Sequence, residues 1–269
     1  MTVEIAKSDD VWTIIHNRPE ARNAMDPDSA DNLVEAFNEF NNSNAKVGVF
    51  YGEGGAFCAG WDLKYAQTLG EGSSQELHKL DFPIGSSEPP RGPLGPSRME
   101  LSKPLIGAIE GPAVAGGMEL ALWCDIRIMA EDAYFSVAYV KIGLSPDGGA
   151  TALLAQALPR QLMTEMCLTG DKFGAVRLLE TGVVNRVVPA GSVLKEATAL
   201  GARLAKGPAR SMARVKSLCR AAQENSLFEQ LDMEEALMIS AQTDPESIEG
   251  ISAFLEKRPA DYTKLRRDE

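Results

Sequence analysis

The sequence predicts an α/β fold with much parallel strand pairing, followed by a helical tail. Two observations carry this: strand-like runs alternate with helical segments as far as residue 188, and beyond residue 193 only helical periodicity remains. The implied organisation is a core over residues 1–192 and a C-terminal helical region over residues 193–269. The length of 269 residues fits it, since single domains commonly run to about 250 residues.

Residues 3–5 and 11–15 are short β-branched runs separated by Ser8-Asp9-Asp10, which predicts a hairpin. Residues 28–41 place Leu33, Val34, Ala36, Phe37 and Phe40 at helical spacing. Strands are then predicted at 47–51, 105–109, 126–129 and 183–188. Residues 194–204, 209–223, 227–241 and 248–255 are helical segments broken by Gly207-Pro208, Asn225 and Asp244-Pro245. A helical layer of this kind packs on the core or on a neighbouring subunit. The stretch 81–97, with Pro83, Pro89, Pro90, Pro93 and Pro96, cannot be regular structure; a lid over a ligand and a surface excursion are equal readings.

Composition narrows the partners. Hydrophobic residues at 44% and charged residues at 24% describe an ordinary globular protein. No apolar run approaches the roughly 18 residues of a membrane span, and residues 1–10 carry no signal pattern, so a cytoplasmic location without membrane association is expected. Cys58, Cys124, Cys167 and Cys219 are scattered without zinc-ligand or C-x-x-C spacing, so neither metal nor disulfide is expected. A net charge of -11 argues against a nucleic-acid partner, which needs a concentrated basic face. An anionic small ligand needs only a few local cations and a helix N-terminus.

Three segments concentrate the chemistry. In Ala56-Phe57-Cys58-Ala59-Gly60-Trp61-Asp62-Leu63, small residues before Trp61 let the backbone bend closely around a ligand with amide hydrogens exposed. In the run from Gly111 to Asp125, a helix starting near Gly116 lacks a Ser, Thr, Asp or Asn cap, which frees its first amides to bind an oxyanion. In the run from Tyr139 to Gly149, Pro146-Asp147-Gly148 is a turn, and a helix over residues 150–158 begins beside it. With only His16 and His78, a Ser-His or Cys-His dyad has few options, and Cys58 reads as a small packing residue. Neither a P-loop nor a G-x-G-x-x-G fingerprint is present.

In this order the segments resemble the crotonase superfamily, the enoyl-CoA hydratase/isomerase family, over residues 3–257. The resemblance rests on Asn17-Arg18-Pro19, Asn23-Ala24-Met25, the run from Phe57 to Asp62, the helix start Ala115-Gly116-Gly117-Met118-Glu119-Leu120-Ala121, and Ala253-Phe254-Leu255-Glu256-Lys257-Arg258. It implies a spiral of β-β-α repeats with a C-terminal helical trimerisation region, hence a homotrimer or hexamer. It implies an enzyme acting on an acyl-CoA thioester through an oxyanion-stabilised enolate, with no cofactor beyond the coenzyme A of the substrate. A ring-modifying isomerase or hydrolase of an aromatic-derived acyl-CoA is the rival enzyme, and a non-catalytic acyl-CoA-binding protein the rival class.

By that resemblance the amides of Trp61 and Gly116 form the oxyanion hole, and Glu119 stands where the first catalytic glutamate sits. Locally, a glutamate in a first helical turn also merely complements the helix dipole. Tyr139 occupies the place of the hydratase branch's second glutamate; it lines the acyl pocket, donates a hydrogen bond or simply packs. Asp147 resembles the acidic residue of the isomerase branches, against the alternative of a turn aspartate capping the next helix. For coenzyme A, Ala21, Arg22, Ala59 and Lys257 fall at the family's contact positions, whereas Lys64 reads as solvated charge.

Overall fold

The structure, a computed structural model, describes residues 2–69, 92, 94–263 and 265. The chain opens with the expected hairpin. Strands β1 (Val3–Lys7) and β2 (Val11–His16) pair antiparallel, from Val3 opposite His16 to Lys7 opposite Trp12. Helix α1 (Pro27–Asn42) begins where Asp26 accepts a hydrogen bond from the Ser29 amide at 2.8 Å, with proline at the first helical position.

After β3 (Val47–Gly52) and α2 (Leu63–Leu69) come β4 (Leu105–Ile109), β5 (Pro112–Val114), α3 (Gly116–Trp123), β6 (Ile126–Ala130) and β7 (Tyr134–Ser136). Then follow α4 (Ala150–Ala157), α5 (Arg160–Thr169), β8 (Phe173–Gly174), α6 (Ala175–Glu180) and β9 (Arg186–Val188). The C-terminal region is helical: α7 (Val193–Leu204), α8 (Ala209–Ala221), α9 (Leu227–Gln242) and α10 (Pro245–Leu255). Among the described residues no helix is long and apolar enough to cross a membrane.

The larger sheet has the order β1-β2-β3-β4-β6-β9, with every pair from β2 onward parallel. β4 is buried along its whole length, as a strand covered on both faces must be. Alternation along the strands assigns the covers. A Cβ built on Gly201 of α7 would stand 3.0 Å from Val11 and 3.6 Å from Val47, while one on the next residue, Gly48, would stand 3.0 Å from Phe40 of α1. Helices α1 and α7 therefore lie on opposite faces. On the α1 side, the Phe50 ring stands edge-on to Phe37 at 5.3 Å and packs on Phe57 at 5.1 Å, which fixes the exit loop of β3 to the core.

A second sheet, β5-β7-β8, was not expected. Its strands are two or three residues long, too short to show a period of two. Two predicted boundaries also move. The strand predicted over 183–188 starts only at Arg186; Val183 and Val184 are apolar because they are buried in the turn after α6, where the Val184 amide bonds to the Leu178 carbonyl. Asp244-Pro245 does separate two helices, but the helix predicted from 248 already starts at Pro245, where the Asp244 carboxylate caps α10 by accepting from the Glu246 amide at 2.9 Å. Of the irregular stretch predicted at 81–97, residues 81–91 and 93 lie outside the described residues, as does His78. Its end is described: Leu94 is buried and Pro96–Arg98 forms a single 3-10 turn.

Candidate active site

The loop after β3 is tied down from two directions. On one side Asn23, fully buried, donates to the carbonyls of Glu53 at 2.8 Å and Ala56 at 2.7 Å. The Met25 amide bonds to the Gly60 carbonyl at 2.7 Å, and the Asp62 amide to the Met25 carbonyl at 2.8 Å. That parallel bridge uses the groups on either side of Trp61 and none of its own amide. Arg18 closes the arrangement: its guanidinium meets Asp62 at 2.8 Å and Asp26 at 3.3 Å and donates to the Ala24 carbonyl at 2.9 Å. Burial acts to raise the Asp62 carboxyl, but the Arg18 hydrogen bond and charge, with the Tyr65 and Lys64 amides, hold it below its ordinary value.

On the other side the Val114 amide bonds to the Cys58 carbonyl at 3.0 Å, fastening the loop to β5. The chain then turns from β5 into α3 through Ala115, whose φ of 49° and ψ of -120° are strained for a residue with a Cβ. Helix α3 starts at Gly116 with no side-chain cap. Among the described residues neither the Trp61 nor the Gly116 amide donates to a protein acceptor. A Cβ on Gly60 would stand 3.2 Å from the Gly116 nitrogen, so the two free amides belong to one narrow seam. Two unspent donors, one at a helix N-terminus, suit a developing negative charge.

Beneath that seam Glu119 is fully buried in the first turn of α3. One carboxylate oxygen, Oε1, accepts from the Gly148 amide at 3.1 Å and the Ala150 amide at 2.9 Å; Oε2 accepts from the Tyr139 hydroxyl at 2.5 Å. The Tyr139 oxygen also stands 3.5 Å from Oδ1 of the exposed Asp147. Burial raises the Glu119 carboxyl above its ordinary value and the Asp147 charge adds to the rise; Tyr139 and the two amides oppose it without cancelling it. Burial and then the Glu119 charge drive the Tyr139 phenol far above its usual range, so it is a neutral donor.

The structure thus brings Trp61, Gly116, Glu119 and Asp147 to one place. It also joins Ala21, Arg22 and Ala59, through the turn at Pro19–Ala21 and an Ala59 amide bonded to the Arg22 carbonyl at 3.0 Å. Lys257 is exposed beyond α10, and among the described residues no hydrogen bond or ion pair joins it to that group. The Tyr139–Glu119 contact was not specified by sequence, and neither were the Gly148 and Ala150 amides. The Gly148-Gly149 pair was the one available signal: a Cβ on Gly148 would stand 2.4 Å from Glu119 Oε2. Nucleophile chemistry fits poorly. The Cys58 thiol is fully buried and pushed up to about 12 by that burial. His16 is buried and lowered to about 4 by burial and by Arg18, so its ring is neutral at neutral pH.

The enoyl-CoA hydratase/isomerase profile matches residues 6–265. The chain is 34% identical to the enoyl-CoA hydratase EchA19 of Mycobacterium tuberculosis, over 91% of this chain and 90% of that protein. It is 32% identical to a carnitinyl-CoA dehydratase of Proteus mirabilis, covering 94% of each. Among solved structures, an enoyl-CoA hydratase from Polaromonas sp. JS666 superposes with a TM-score of 0.86 at 32% identity, over 96% of this chain and 98% of that one. A likeness this complete in sequence and in fold means that the chain belongs to the enoyl-CoA hydratase/isomerase family.

Proposed function

We propose that this protein is an enoyl-CoA hydratase/isomerase in which Glu119 is the base and the Trp61 and Gly116 amides are the oxyanion hole, with double-bond migration as its favoured reaction. The observation that carries the reading is the hydrogen-bond inventory of Glu119. A carboxylate offers about four lone-pair sites. Both sites on Oε1 are taken by amides and one on Oε2 by Tyr139, which leaves one on Oε2 to accept a proton. The thioester carbonyl would accept from the two amides while Glu119 removes a proton beside it; the electron pair then moves onto the held oxygen as an enolate. Returning a proton two carbons away completes migration. Asp147 supplies the second carboxylate. Hydration is less favoured, because the place of a second glutamate is held by a phenol that stays protonated.

The charge is met by backbone amides, so the mechanism calls for no metal or redox group. Ala21, Arg22 and Ala59 form one side of the coenzyme A site, with Lys257 a further cationic contact. Large apolar residues left exposed on α9 and α10 support a homo-oligomeric assembly, a trimer or a dimer of trimers. The four free cysteines are in keeping with a cytoplasmic location.

The direct test follows the absorbance of the conjugated thioester with a short 3-enoyl-CoA and, separately, a 2-enoyl-CoA. The expected outcome is a rising signal with the first. Glu119→Gln is expected to lower turnover by about 10²- to 10⁴-fold while binding coenzyme A normally. Full activity in that variant would make Glu119 structural.

A further inference from the structure

Glu119 is buried, yet each catalytic cycle that exchanges its proton with water needs a path for that proton. We propose that Tyr139 and Asp147 are that path: a two-residue conduit that carries protons between Glu119 and solvent. The inference rests on the reading of Glu119 as the base and goes beyond it, because a base that only carries one proton from carbon to carbon needs no conduit.

The geometry is directional. The Tyr139 hydroxyl is itself buried and, among the described residues, meets two groups: Glu119 Oε2 at 2.5 Å and Asp147 Oδ1 at 3.5 Å. Glu119 is fully buried and Asp147 exposed, so the three groups run from interior to surface. Tyr139 sits in the short 3-10 helix Ala138–Ile142, and its carbonyl accepts from the Leu144 amide at 3.0 Å, which fixes the backbone beneath the ring. The 3.5 Å gap lies at the outer limit of hydrogen-bond reach, and contacts of this kind shorten when substrate closes a site.

The steps balance in protons and charge. The substrate C–H proton passes to the open lone pair of Oε2, and its electron pair stays on the enolate. Glu119 is then a neutral acid and no longer the better acceptor for the Tyr139 hydrogen, whereas Asp147 remains a carboxylate. The Oε2–H proton moves to the phenol oxygen as the phenol passes its own proton to Asp147. One O–H bond forms on Tyr139 as one breaks, so the ring never becomes a phenolate, the form that its burial disfavours. Asp147 releases the proton to water. The same steps in reverse deliver a solvent proton to the enolate.

The experiment runs the native enzyme on a short 3-enoyl-CoA in heavy water and reads, by mass spectrometry, the deuterium at C4 of the product, the carbon that receives the returned proton, per turnover. The native protein is expected to incorporate solvent deuterium. Tyr139→Phe and Asp147→Asn are both expected to lose most of it, returning the substrate's own hydrogen instead, whatever happens to their overall rates. A merely structural role for Tyr139 would lower turnover without changing that ratio. Native labelling in both variants, or unlabelled product from the native enzyme, would overturn the conduit and leave the base assignment standing.

A second measurement follows exchange of the α-protons of butanoyl-CoA by NMR, which needs only the oxyanion hole, Glu119 and the conduit. Native exchange, its loss in Glu119→Gln and a slowing on the order of tenfold in the other two variants are expected. Absence of both isomerisation and exchange in the native protein would end the base reading and the conduit together.

Discussion

As the proposed base, Glu119 would have to be ionised in a place that disfavours ionisation. Burial and the Asp147 charge raise its pKa, the Tyr139 hydroxyl and two amides pull it down, and the result lies above the ordinary 4.5. With the carboxylate as the active form of the proposed base, kcat/KM is expected to fall with decreasing pH through a midpoint above the usual glutamate range. The sign of each neighbour's effect follows. Tyr139→Phe removes a hydrogen bond that favours the charged form, so the acid limb should move to higher pH. Asp147→Asn removes a like charge, so it should move lower. A pH–rate profile of the three proteins checks both directions, and an acid limb near 4.5 unaffected by either change would count against Glu119 as the titrating base. The residues of this cluster were unequally legible. Glu119 and Asp147 stood out by their place in recognisable segments. Tyr139 meets Glu119 from 20 positions along the chain, with β6 and β7 between them, and no local periodicity encodes such a contact.

At the scale of elements, the seam between the β3 exit loop and α3 depends on backbone approaching backbone. A Cβ on Gly117 would lie 2.0 Å from the Cys58 carbonyl oxygen and 2.6 Å from its carbon, and neither atom can swing aside as a side-chain tip would. Gly117→Ala should therefore push the Trp61 loop away from the start of α3. The expected cost is about 10²- to 10³-fold in turnover, the scale of one lost oxyanion donor, with about 1–3 kcal/mol of stability from overpacking. Kinetics and urea unfolding measure the two, and Gly174→Ala is the control, at a site with a φ of -73° and no atom within 4 Å of the added carbon. A Gly117→Ala protein with native turnover would show that the seam tolerates separation. Much of this architecture was readable beforehand, because the uncapped start of α3 and the small residues before Trp61 are local features. The β5-β7-β8 sheet was not, since its strands are defined by the partners they meet across the chain.

For the whole molecule, the distribution of apolar surface is uneven. The sheet core is closed, yet Phe254 at 82%, Phe228 at 76%, Leu255 at 73% and Leu227 at 70% lie open on the last two helices. Isolated apolar residues on a surface are ordinary, but several large ones on helices that pack together are what the proposed assembly would bury. The net charge of -11 opposes association at long range, so an assembly must rest on buried apolar area and should persist, or tighten, as salt screens the repulsion. Analytical ultracentrifugation is expected to find a trimer or a multiple of it in the native protein at both low and high salt. Phe228→Glu and Phe254→Glu are each expected to shift the population toward monomer, because an unpaired carboxylate would have to be buried at the contact. A native protein that sediments as a monomer at micromolar concentration would show that these helices face something other than a second copy of the chain. Activity measured across the same dilution series joins this scale to the first. If the neighbouring copy helps to close the acyl site over Glu119, specific activity falls as the assembly dissociates; if each subunit is complete, it stays constant.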